Sequence, residues 1–222
     1  AGSTGSGKSV CINALMASIL STKTPDDVRV LLVDPKVVEL KPYEKIPHLA
    51  YSVITSPEEA VQMLKWSCEE MDRRYEVLSS AKVRNIAGFN AKFKANELPE
   101  DVQEGDRRQM PLLLIVIDEL ADLMMVAGKD VEKSIARIAQ KARAVGIHLV
   151  LATQRPDSKV ITGLIKANLP SRIAFRVAQQ LDSRIILDQG GAEKLLGLGD
   201  MLYLAGSNPE PVRVHGCFLS DN

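Results

Sequence analysis

Eight consecutive residues near the start of the chain, Gly2-Ser3-Thr4-Gly5-Ser6-Gly7-Lys8-Ser9, satisfy the spacing G-x-x-x-x-G-K-[ST] at every position. Each residue type has a use there. The glycines let successive backbone N–H groups turn inward around phosphate oxygens, and a helix starting behind them adds the partial positive charge of its amino end. Lys8 is placed to reach the β- and γ-phosphates of a nucleoside triphosphate, and the Ser9 hydroxyl to ligate Mg2+. Gly2, Gly5, Ser6, Gly7, Lys8, Ser9 and Val10 are therefore the expected contacts of bound ATP. The competing reading is a Gly/Ser linker that happens to carry a lysine.

A second segment argues against the linker. Leu112-Leu113-Leu114-Ile115-Val116-Ile117-Asp118-Glu119 is an apolar strand ending in two acids. Such a strand sets Asp118 at the carboxyl edge of a sheet beside the phosphate loop, where it can hold the Mg2+ shell. Glu119 can then polarise the attacking water, so hydrolysis as opposed to binding rests on that residue. Thr153-Gln154-Arg155-Pro156 follows another apolar run at 147–152. Gln154 is the candidate sensor of the γ-phosphate, and a plain turn closed by Pro156 accounts for it equally well. His148 lies within an apolar run and reads as a core histidine, and Met124-Met125 reads as core. His48 and His215 have no metal-ligand partners at useful spacing, and no Ser/His/Asp or Cys/His constellation competes.

The elements that must position these residues follow from periodicity. Residues 8–20 predict a helix with Ala14, Leu15 and Ile19 on one face. Val28–Val33 is a continuous apolar run closed by Asp34-Pro35, the pattern of a buried parallel strand. Ser56-Pro57-Glu58-Glu59 is a capping box with proline at the first helical position, opening a helix to about Ala81 with Glu69, Glu70, Arg73 and Arg74 on its polar side. Residues 96–109 are polar, aperiodic and the expected mobile loop. Asp130 is the expected cap of a helix whose stripe is Val131, Ile135, Ile138, Ala139 and Ala142, stopped by Gly146. Further strands are expected at 147–153, 172–177, 201–204 and 212–218. Strands alternating with helices predict an α/β fold, a doubly wound and mostly parallel sheet flanked by helices. A phosphate loop needs a buried strand before it. None precedes Ala1, so the chain reads as a fragment of a longer polypeptide.

Bulk properties set the outer limits. The 222 residues suffice for one large domain, and 45% hydrophobic with 25% charged residues is ordinary for a globular protein. The longest wholly apolar run is far short of a membrane span, and no signal peptide is visible. Cys11, Cys68 and Cys217 are scattered and read as reduced thiols of a cytoplasmic protein. The balance of 28 basic and 28 acidic residues excludes a generally basic surface but leaves room for a basic loop. Only 4% aromatic residues disfavours a base-stacking platform for single strands.

Several segments together resemble the FtsK/SpoIIIE DNA translocases: AGSTGSGKSV, VDPK, EMDRRY, VRNIAGFN, VIDELADLMM, RIAQKARAVGIHLVLATQRP, VITGLIKANLPSRIAF, DSRIILDQGGAEKLLGLGDMLYL and PVRVHG. The resemblance is to the RecA-like β half of that motor, over residues 1–222. It lacks the α half, the amino-terminal membrane spans and the carboxyl-terminal winged helix. What it implies is a P-loop ATPase in a homo-hexameric ring around double-stranded DNA, serving chromosome partition at cell division or sporulation. The full-length protein would be anchored in the inner membrane with its motor in the cytoplasm. Arg143 is similar in position to the family's trans-acting arginine, with Arg137 the runner-up. Arg155, Lys166 and Arg184 fall in segments similar to the family's DNA-facing loops, and contacts of that kind neutralise phosphates without reading sequence. Gln180 departs from the pattern, standing where many relatives carry a lysine. Two rival readings stay open: a secretion or conjugation coupling ATPase of the same superfamily, and an assembly module that binds ATP without turnover.

Overall fold

A computed structural model describes residues 1–219. The chain packs as two compact units, interleaved in sequence. One comprises Lys23–Ile117 and Lys129–Val150; the other comprises Ala1–Thr22, Asp118–Gly128 and the chain from Leu151 onward.

The first unit is built on a parallel sheet. β1 (Val28–Val33), β2 (Leu112–Ile117) and β3 (Ile147–Leu151) follow one another in the order β1-β2-β3. β2 is the central strand, pairing with β1 from Val28↔Leu112 to Val33↔Ile117. Parallel bridges Val30↔Leu49 and Val33↔Ile54 cover the outer edge of β1. Both β1 and β2 are apolar at nearly every position because both faces of this sheet are buried. After β1 the buried Asp34 carboxylate accepts the amides of Lys36 (3.2 Å), Val38 and Leu40 (both 2.9 Å), which closes the loop that a charged residue would otherwise destabilise.

The helix predicted from Ser56 is α2 (Pro57–Ser80), with the Ser56 side chain accepting the Glu59 amide and Ala81 as carboxyl cap. Its polar side is not wholly solvated. Arg74 is only 4% exposed, because it bonds Glu70 (2.8 Å) and donates to the carbonyls of Pro111 and Val145 (both 2.9 Å). A short helix α3 (Ile86–Lys94) is capped by Asn85. Its Asn90 exchanges two bonds with the Met110 backbone (both 2.9 Å), as a strand partner would. Residues 96–109 are irregular as expected yet anchored: Leu98 and Val102 are buried, and Arg107 donates to the carbonyls of Leu98 and Pro99.

Helix α4 (Leu120–Lys141) is two helices joined at Ala127, whose φ of −147° and ψ of 52° interrupt the helical ladder. Asp130 therefore lies inside the second segment instead of capping it, and pairs with Lys65 at 3.2 Å. Of the predicted stripe, Val131, Ile135, Ile138 and Ala142 are buried and Ala139 is half-buried. Gly146 closes the turn into β3 at φ +74°, where a Cβ would meet Ile86 and Leu112 at 2.7 and 2.8 Å. His148 is not a core residue. Strand alternation buries Ile147 and turns His148 to the exposed side of an edge strand. Partial desolvation, and then the nearby Arg143 charge, lower its pKa from 6.5.

The second unit holds the phosphate loop, α1 (Lys8–Thr22) and an antiparallel sheet of β4 (Arg172–Phe175), β5 (Asp200–Leu204) and β6 (Val212–His215). The α/β class is as expected, with this antiparallel set added to the parallel one. On α1 the buried stripe is Lys8, Ile12 and Met16, one turn apart, while Leu15 is 37% exposed. The inward Lys8 sets that register, which displaces Ala14, Leu15 and Ile19 from the core face. Met125 is 74% exposed beside the break in α4, so the methionine pair is not core either. Around β4, α5 (Gly163–Asn168) and α6 (Gln180–Leu187), a small core forms from Ala174, Val177, Ile186, Leu187, Ala192, Leu195 and Leu204. No helix among the described residues is long and apolar enough to cross a membrane.

Candidate functional site

The phosphate loop is shaped by its neighbours within the second unit. Ala1 is bonded in the parallel manner to β4, donating to Ile173 O (2.7 Å) while its carbonyl accepts Phe175 N–H (2.8 Å). Gly2 N donates to Thr153 O, Ser3 N to Arg176 O, and Gly199 N to Ser6 O. Two glycines have no substitute. A Cβ on Gly7 (φ +105°) would come within 2.5 Å of Gly199 N, and one on Gly2 within 2.6 Å of Phe175. The carboxyl-terminal segment LGLGD therefore buttresses the loop, a support that the motif alone does not disclose.

α1 begins at Lys8, so its amino end faces the phosphate-binding turn. The Lys8 ammonium donates to Asp118 Oδ1 at 2.6 Å and to the Asp118 carbonyl at 2.8 Å. Both residues are buried, at 5% and 0% exposure. The structure thus brings the phosphate-loop lysine and the acid after β2 together, over 110 residues of sequence. Ser6 is also buried, and its hydroxyl has no hydrogen-bond partner among the described residues.

Glu119 is fully buried. Its Oε1 accepts the Thr153 hydroxyl at 2.5 Å, and its Oε2 accepts the Gln154 amide at 3.1 Å. The Gln154 side chain points the other way, with its Oε1 accepting the Thr4 hydroxyl at 3.0 Å. Residues 153–155 thus bridge the phosphate loop and the glutamate. Thr4 and Thr153 were not among the expected site residues. The only signal for Thr153 in the sequence is a hydroxyl residue at the end of an apolar strand.

The remaining candidates are dispersed. Arg155 is exposed and lies 3.4 Å from the Met125 sulfur. Lys166 is held at 2.6 Å by Asp188, which also binds Arg172 (2.7 Å); these two cations hold the Asp188 carboxyl below its ordinary 3.8. Arg184 is exposed on α6, where Gln180 is the first residue. In the other unit, Arg137 is engaged by Asp72 (2.6 Å), whereas Arg143 is exposed in the turn after α4.

Asp118 and Ser9 supply one carboxylate and one hydroxyl. Among the described residues no cluster of three His, Cys, Asp or Glu side chains forms a dedicated metal cage. A two-ligand set beside a phosphate loop fits Mg2+, which keeps several waters and takes other oxygens from substrate phosphates.

The profile of the FtsK/SpoIIIE family matches residues 1–158. The chain is 54% identical to the DNA translocase FtsK of Pseudomonas aeruginosa and 59% identical to the DNA translocase SftA of Bacillus subtilis. In both cases 100% of this chain aligns, to 29% and 22% of those proteins respectively. It therefore spans under a third of their length. Among solved structures, the pCW3 conjugation coupling protein TcpA with ATPγS superposes with a TM-score of 0.81 at 32% identity, covering 99% of this chain and 59% of that one. The cytoplasmic domain of the type VII secretion ATPase EccC of Thermomonospora curvata gives 0.81 at 27%, covering 100% of this chain and 25% of that one.

Proposed function

This chain belongs to the FtsK/SpoIIIE family, and on that footing we propose that it is the ATP-hydrolysing part of a motor that moves along double-stranded DNA. The observation that carries the reading is the junction of Lys8, Asp118 and Glu119 with the loop that presents Arg155. The chain also shares more sequence with the DNA translocases than with the conjugation and secretion proteins, which favours duplex DNA over a secreted protein as the cargo.

In this mechanism the loop at residues 2–10 surrounds the phosphates and Lys8 moves from Asp118 to the β- and γ-phosphates. Ser9 and Asp118 would hold Mg2+, which when bound would neutralise charge on the phosphate oxygens. Glu119 accepts a proton from water as the water oxygen bonds to the γ-phosphorus and the bond to the β,γ-bridging oxygen breaks, releasing ADP. Gln154 senses the γ-phosphate. Arg143 serves the site of a neighbouring subunit in a hexamer, and Arg155, Lys166 and Arg184 contact DNA phosphates. The whole protein is membrane-anchored and works in chromosome partition.

ATPase activity of the full-length protein should rise strongly with long duplex DNA and fall with added salt. An unchanged rate on adding duplex would overturn the DNA role. Arg143→Ala subunits should be inactive alone, with about a 1,000-fold loss. They should regain turnover when mixed with Lys8→Ala subunits, since the two lesions fall in different shared sites; absence of rescue at every ratio would refute the trans role.

A further inference from the structure

Resting on the motor reading above, we propose that Thr153 is a positioning residue that parks Glu119, and that its loop releases the glutamate only when nucleotide and DNA act on the loop together.

The geometry is a relay through one hydroxyl. Thr153 Oγ1 donates to Glu119 Oε1 at 2.5 Å and accepts the Arg155 amide at 3.0 Å. Gln154 N–H holds the second carboxylate oxygen at 3.1 Å. Consecutive bonds of this kind polarise and strengthen one another in a buried setting. Thr153 is 3% exposed and Glu119 is 0% exposed. A general base must lie within hydrogen-bond reach of the water it activates. Donors on both oxygens favour the ionised carboxylate and lower its basicity, so Glu119 becomes a stronger base when Thr153 and the Gln154 amide withdraw.

The loop has a handle at each end. Gln154 Oε1 accepts the Thr4 hydroxyl at 3.0 Å, so rearrangement of the phosphate loop around nucleotide pulls on residue 154. Arg155 is exposed, so a phosphate drawn to its guanidinium pulls on residue 155, whose amide binds the parking hydroxyl. Both movements act on Thr153 and the Gln154 amide, two of the donors to Glu119; the Ala121 amide, at 3.4 Å from Oε1, is another. The arrangement suppresses hydrolysis when no DNA is engaged, a useful property in a motor that would otherwise run idle.

The test is steady-state ATPase of the full-length protein with and without duplex DNA. Thr153→Val keeps the shape and removes the donor. Its DNA-free kcat should rise about tenfold, the scale of one hydrogen bond to a charged group. Its DNA stimulation should shrink by the same factor, with KM for ATP unchanged. Thr153→Ser should restore the wild-type ratio. Equal loss of kcat with and without DNA in Thr153→Val, or a Ser variant that behaves like Val, would overturn the proposal. Hydrogen exchange on the wild-type protein tests it without any variant: the Gln154 amide should be protected alone and exchange faster with ATPγS plus duplex. Unchanged protection counts against it. If duplex fails to stimulate the wild type, the motor reading falls. The DNA-free rise in Thr153→Val then still decides whether Thr153 restrains Glu119.

Discussion

Two ion pairs built on a buried cation, one in each unit, use similar groups to opposite ends. Arg74 in α2 bonds Glu70 and two backbone carbonyls, Pro111 and Val145, that come from different segments of its unit. Among the described residues Lys8 bonds the carboxylate and carbonyl of Asp118, at the mouth of a phosphate loop. The guanidinium is planar with five donors and is fixed from several directions, whereas an ammonium is a compact charge on a flexible stem. Arg74 therefore ties segments together, and in the proposed mechanism Lys8 exchanges Asp118 for phosphate. A buried charge of either kind is a poor guide to function until its partners are counted.

Substitutions at each pair separate the two roles. Arg74→Ala leaves the carbonyls of Pro111 and Val145 without this donor while Glu70 keeps Arg73, and should cost about 1–3 kcal/mol of stability for each carbonyl left unsatisfied. Denaturant unfolding measures this, and the ATPase rate per folded molecule should be retained. Lys8→Ala should lower kcat by about 100- to 1,000-fold through lost stabilisation of phosphate charge, read as ATP turnover on protein whose fold is verified by circular dichroism.

A third pair offers a pH-dependent intermediate. Arg213, together with the Leu196 amide, lowers the Asp200 carboxyl from 3.8 to about 2. Because the folded value is the lower one, this pair's contribution is fully present above about 4 and lost as pH falls through about 2. Melting temperature against pH should show wild type and Asp200→Asn converging as pH falls through that window. The smallest effect is expected at the exposed pair Arg137–Asp72. Arg137→Ala should cost less than about 1 kcal/mol, and less still at high salt. A large loss of ATPase there would reverse the ranking of Arg137 and Arg143.

Legibility followed the range of the interaction. The phosphate loop, β1, β2 and the Ser56 cap are written in adjacent residues, because backbone conformation and strand burial depend on local residue type and period. Arg74 was misread because helical periodicity places it on the polar side and cannot show carbonyls arriving from residues 111 and 145. His148 and Met125 were misread as core because an apolar neighbourhood does not say which face is covered. Asp130 looked like a cap, but the helix begins earlier and breaks at Ala127. The anchoring of residues 96–109 was hidden by their polar composition, since Leu98 and Val102 suffice to hold them.

By itself, then, the sequence determined that this protein cradles a triphosphate, carries two acids after a buried strand and belongs with the FtsK/SpoIIIE proteins, because each of these is set by consecutive residues. Only the tertiary structure decided that Lys8 rests on Asp118, that Gly199 supports Gly7 and that Thr153 and Gln154 hold Glu119. Those partners lie 110, 192, 34 and 35 residues apart. Chain folding, and no local preference, chooses which buried polar group satisfies which.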